Sequence, residues 1–123
     1  MNFNSDIVAL AQKNQNFRQE VVTGTYSQVV LMSIPRGGEI GEETHHDVDQ
    51  VLVFVSGEGK AVLNDEQSSV TANSLCFVPA GTKHNFINTG SSDLKLYTVY
   101  APPEHASGTV HKTKAEADAA EHA

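Results

Sequence analysis

Eight consecutive residues, Glu43-Thr-His-His-Asp-Val-Asp-Gln50, bring a carboxylate, two imidazoles and an amide oxygen into one short stretch. Imidazole nitrogens, a carboxylate and a neutral oxygen donor make a set that suits a divalent transition metal. In an extended chain successive side chains alternate between faces, so Glu43 and His45 share one face and His46 takes the other. Gln50 joins the first pair only if a turn or bulge between Asp47 and Asp49 shifts the phase. The competing reading is a solvated turn, because paired histidines beside acids are common without any bound ion.

A second stretch bears on that choice. Pro79, Gly81, His84 and Asn88 are spaced as P-x-G-x2-H-x3-N. Pro79 ends a strand, Gly81 makes the turn and His84 opens the next strand, so this imidazole arrives with the turn that aims it.

The surrounding elements read as β. Strand candidates run over 17–22, 26–34, 51–55, 60–63, 67–71, 75–78, 84–88 and 94–100. They alternate or are rich in β-branched residues, and Gly, Pro, Asn and Asp punctuate them. Asn64-Asp-Glu66 reads as the turn of a hairpin, Gly57-x-Gly59 as a hairpin corner, and the apolar run 51–55 as a strand buried on both faces. Short strands at this spacing, without strand–helix alternation, predict a sandwich or barrel and not a doubly wound sheet.

Cap-type residues at 4–6 precede apolar residues near helical spacing, which predicts one short N-terminal helix within 4–13. Thr113-Lys-Ala-Glu116 has the form of a capping box and opens an alanine-rich tail to residue 123. That tail is below the ~12–15 residues an isolated helix needs, so it is expected to dock on a neighbour or fray.

The 123 residues suffice for one domain, 1–123, and 39% hydrophobic content can build a core. No apolar run approaches the ~20 residues of a membrane helix, so no membrane partner is expected. The opening Met-Asn-Phe-Asn-Ser-Asp is polar and acidic, unlike an export signal, and one cysteine precludes an internal disulfide. A cytoplasmic location is expected. A net charge of −7 without a Lys/Arg cluster argues against nucleic acid as a partner. Glu39, Glu42, Glu43, Asp47 and Asp49 crowd the candidate site, which favours cations and opposes an anionic ligand unless Lys83 or Arg36 turns inward. Cys76 reads as a small core hydrophobe. Phe86 and Tyr97 read as packing residues before cavity lining, Lys83 as surface, and His105, His111 and His122 as solvent-facing.

With both stretches in view, the chain resembles the cupin superfamily. Residues 73–88 match its second motif, G-x5-P-x-G-x2-H-x3-N, with Asn73 in place of the glycine. Its first motif, G-x5-H-x-H-x3,4-E-x6-G, lays onto Gly37–Gly57: Glu43 stands at the first His, His45 at the second, Gln50 at the Glu and Gly57 at the last Gly. Motifs and flanking strands cover 27–100. Leu94–His105 and Gly108-Thr-Val-His111 look like bacterial single-domain cupins of the mannose-6-phosphate-isomerase-like group.

The resemblance implies an all-β jelly-roll barrel, the double-stranded β-helix, with the short N-terminal helix and the helical tail outside it. It implies a metal (zinc, iron, manganese or nickel) held by Glu43, His45, Gln50 and His84, with His46 the alternative to His45. It also implies a small-molecule ligand and a homodimer. Three functions fit: a metal-dependent, isomerase-type enzyme on a sugar-like or carbonyl substrate, an oxygen-activating dioxygenase, or a non-enzymatic binding module.

Overall fold

The computed structural model describes residues 2–121. Helix α1 (Ile7–Lys13) precedes strands β1 (Arg18–Thr23), β2 (Gln28–Ile34), β3 (Asp49–Ser56), β4 (Gly59–Leu63), β5 (Glu66–Val70), β6 (Leu75–Val78), β7 (His84–Asn88), β8 (Leu94–Ala101) and β9 (Val110–His111), and helix α2 (Lys114–Glu121) follows. Six strands form an antiparallel sheet in the order β6-β3-β8-β2-β1-β9, and three form a second in the order β5-β4-β7. Together they make the antiparallel jelly-roll architecture expected from the sequence. Period-two alternation sends Gln50, Leu52 and Phe54 of β3, and Leu94, Leu96, Thr98 and Tyr100 of β8, to the interior. They meet Phe86 of β7 from the other sheet, with the Phe54 and Phe86 rings 5.7 Å apart.

Local signals explain most boundaries. Asp6 caps α1 by accepting from Ala9 N at 3.0 Å. Asn64 (φ +48°) and Asp65 (φ +71°) make a two-residue turn between β4 and β5, with both residues left-handed as a type I′ hairpin requires. Asn73 stands at φ +74°, a conformation that asparagine tolerates in place of glycine. Thr113 Oγ1 accepts from Glu116 N at 3.1 Å, and Glu116 Oε2 reaches back to Lys112 N at 2.6 Å. The tail helix is docked through Ala117, which is buried in the core.

Two expectations are corrected and one element is added. Gly57 joins strands of different sheets, so it is a corner between sheets and not a hairpin. β3 is buried on one face only, because Val51, Val53 and Val55 look outward from the barrel and are half-buried. β9 was not anticipated: two residues carry no periodicity, and pairing with Arg18 and Gln19 of β1 defines the strand. Among the described residues no helix is long and apolar enough to cross a membrane.

Candidate metal centre

Glu43 and His84 are joined by their backbones. Glu43 N donates to His84 O and His84 N donates to Glu43 O, both at 2.9 Å. Residues that exchange both bonds in an antiparallel pair put their side chains on the same face. This bridge lies along the free side of β7, so residues far apart in sequence present their side chains together. Pro79–Thr82 forms the preceding turn, with Thr82 N donating to Pro79 O at 3.1 Å and Gly81 at φ +86°. Gly81 N then donates to His45 O at 2.8 Å, so the same turn pins the backbone of the second imidazole. One ligand atom from each of Glu43, His45 and His84 lies within 4.8 Å of the other two. His46 is exposed.

Gln50 enters from the six-stranded sheet. A bend at His46–Asp47 precedes β3, and β3 sets Gln50 opposite Tyr100 in the neighbouring strand. The Tyr100 ring stands edge-on to His45 at 6.1 Å, so Gln50 shares the interior face with the histidines.

The hydrogen bonds leave specific atoms free. His84 Nδ1 lies 2.8 Å from Thr82 O, an obligate acceptor, so Nδ1 carries the proton and the Nε2 lone pair is open. His45 Nδ1 faces Glu104 Oε1 at 3.4 Å, which favours the same tautomer, and its Nε2 is 4.0 Å from Glu43 Oε1. Thr98 Oγ1 donates its proton to Val51 O at 2.9 Å and so can only accept from Gln50 Nε2, at 3.1 Å. That fixes the amide orientation and frees Gln50 Oε1. His45 Nε2, His84 Nε2 and Gln50 Oε1 are all buried without a hydrogen-bond partner. Buried polar atoms are rarely orphaned, and three σ-donors beside a carboxylate fit a divalent cation. Burial raises the Glu43 carboxyl above its ordinary value, against the pull of His45, and burial lowers the His84 imidazole below its ordinary value.

Asn88, the last residue of the second motif, is a structural clamp. Its Nδ2 donates to Ile34 O and Ser92 O, and its Oδ1 accepts from Gly90 N. Phe86 is in the core, whereas Tyr97 faces outward and is half-buried. Lys83 pairs with Asp65 at 3.4 Å and Arg36 is exposed, so neither enters the site.

The sequence reading missed Arg18, which is 2% exposed at the start of β1. It also placed His105 and His111 in solvent, and both turn inward; His122 lies outside the described residues. The segment after β8 folds back over the barrel because the buried Gln28 amide grips it. Gln28 Nε2 donates to His105 O at 2.7 Å and Gln28 Oε1 accepts from His105 N at 3.0 Å. His105 packs edge-on against Tyr100 at 5.1 Å, and His111 Nδ1 meets Arg18 Nη1 at 3.3 Å.

Burial lowers the His105 pKa to about 3 from an ordinary 6.5, with Arg18, His45 and His111 adding to the effect. Between those values the unfolded chain binds a proton that the folded chain refuses, so stability falls as pH drops from about 6.5 toward 3. His105→Phe is expected to flatten the fall of Tm between pH 7 and 4. An unchanged slope would assign that fall to other groups.

Comparison with known proteins follows the same outline. Residues 30–100 match the family described as Cupin domain. YrkC of Bacillus subtilis strain 168, an uncharacterized protein, is 47% identical over 116 residues, which cover 89% of this chain and 62% of YrkC. The crystal structure of BH2720 from Bacillus halodurans has a TM-score of 0.96 at 42% identity, covering 97% of this chain and 95% of that one. A Thermotoga maritima protein described as a predicted oxalate decarboxylase has a TM-score of 0.59 at 26% identity, covering 62% and 66%. The chain spans less than two thirds of the length of the curated relatives it matches.

Proposed function

The chain belongs to the cupin family, and from that premise we propose that it holds one divalent transition metal on Glu43, His45, Gln50 and His84 and acts on a small sugar-like or carbonyl substrate. The observation that carries this is the convergence of orphaned buried donors, His45 Nε2 and His84 Nε2, beside the Glu43 carboxylate. A metal held there supplies Lewis-acid polarisation of a carbonyl or enediol oxygen. Thr82 and Glu104 fix the two imidazoles, and Thr98 fixes the Gln50 amide, so the donors are set before any ligand arrives. Phe54 and Phe86 close the interior beside His84 and keep water from that side. Glu43 needs one oxygen as a donor, and its other oxygen is the group that takes and returns a proton in an isomerisation.

A second reading has its own support. Two imidazoles and one carboxylate are the donor set of oxygen-activating non-haem iron sites. Elemental analysis of the purified protein, with turnover measured with and without dioxygen, separates the two. Oxygen-independent aldose–ketose turnover supports isomerisation. Strict dependence on oxygen with iron supports oxygenation. Metal bound without turnover would leave a binding module, and no metal after reconstitution would overturn both enzymatic readings.

We also infer a homodimer formed through the outer face of the six-stranded sheet. Leu75 (63% exposed) and Phe77 (51% exposed) lie on edge strand β6, beside the half-buried Val51 and Val53 of β3. Phe77→Asp is expected to shift gel filtration from dimer to monomer. A wild type that elutes as a monomer removes this inference.

A further inference from the structure

We propose that Arg18 is an anion anchor beside the metal centre, and that the ligand it selects is a small molecule bearing a carboxylate next to the oxygen the metal takes. This rests on the metal-centre reading above and adds the substrate class.

The Arg18 guanidinium is buried, yet it has no carboxylate at hydrogen-bond distance. Its Nη1 meets His111 Nδ1 at 3.3 Å, and the group lies 5.5 Å from the Phe17 ring centre. Glu121 Oε1, at the end of α2, stands 3.9 Å away. Arg18 Nε is buried with no partner. The Tyr100 hydroxyl also lies beside the guanidinium, but it carries no formal charge, and a buried cation without a close counter-charge is costly unless something else completes it.

Arg18 lines a cavity of about 480 Å³ that also includes Glu43, the one candidate donor among its lining residues, so one small ligand can reach both that carboxylate and the guanidinium. The charges favour a monoanion. A divalent ion would be balanced by Glu43 and Glu104, which leaves the exposed Glu121 at 3.9 Å as the carboxylate a ligand must outcompete for Arg18. Among the described lining residues Lys114 is already held by Asp118 at 2.7 Å, so Arg18 is the cation left to bind. A phosphate dianion would face the Glu42, Glu43 and Glu121 carboxylates with that single cation, whereas a carboxylate matches the planar guanidinium fork. Glu121 stands where it competes for the same cation, and ligand binding displaces it.

The test uses cobalt(II)-loaded protein, its visible spectrum titrated with glycolate and with the neutral isostere glycolamide. Wild type is expected to prefer glycolate by roughly 10- to 100-fold. Arg18→Gln should lose that preference with glycolamide binding unchanged, Arg18→Lys should fall between, and Glu121→Gln should tighten glycolate. The gain in Glu121→Gln cannot come from misfolding, so it decides the matter if the arginine variants do not fold. Equal binding of the two ligands by wild type, or an unchanged preference in folded Arg18→Gln, would overturn the anchor. Cobalt uptake is measured first. If no variant takes up cobalt, the metal reading fails separately, and calorimetry of glycolate on the metal-free protein decides the anchor: binding lost in Arg18→Gln or tightened in Glu121→Gln upholds it, and no difference among variants overturns it.

Discussion

His84→Ala is expected to weaken divalent metal binding by more than about 100-fold, read by competition against a chromophoric chelator. Loss of residues that merely orient ligands costs 10–100-fold, and removal of a donor should exceed that. The variant isolates the imidazole, because the bridge that sets Glu43 is made by main-chain atoms and survives the substitution. His46→Ala, an exposed neighbour of His45, should leave the affinity unchanged. Affinity within threefold of wild type in His84→Ala would remove that imidazole from the donor set.

Gly57→Ala should be among the most destabilising single changes in the fold. Gly57 has φ +93°, and a Cβ there would lie 2.6 Å from Asp93 O and 2.9 Å from Leu94 Cα. Both contacts are with backbone. They cannot yield cheaply, because Leu94 is fully buried and opens β8, which is paired on both sides by β3 and β2. Unfavourable φ and overlap together should cost about 3 kcal/mol or more, a fall in Tm of about 10 °C. A fall under about 2 °C would mean the corner relaxes freely.

These two positions were legible in the sequence because each sits in a local pattern: a proline–glycine turn ahead of His84, and a glycine where an apolar strand stops. Strands β6 and β7 fell where turn residues bounded them. Gln50 was legible only conditionally, since its phase depends on the bend at His46–Asp47. Arg18 was not legible. It follows Phe17 in a half-polar strand, and its burial comes from α2 and β9, which return from the other end of the chain. His105 was hidden similarly: Pro102-Pro103 breaks the pattern, and the buried Gln28 amide holds the segment beyond it. A side chain placed by long-range closure leaves no periodic trace in its own neighbourhood.

The candidate donors hang from different walls of the barrel. His84 and Glu43 belong to the side of β7, and Gln50 to β3 in the opposing sheet. An ion held by all of them would rivet the two walls together. Extended, the chain carries His84 far from the other three, so the ion would favour the folded state by mass action, by about 2.7 kcal/mol at a metal concentration 100-fold above Kd. Resistance to proteolysis would then track the supply of that metal, whatever the fate of the substrate.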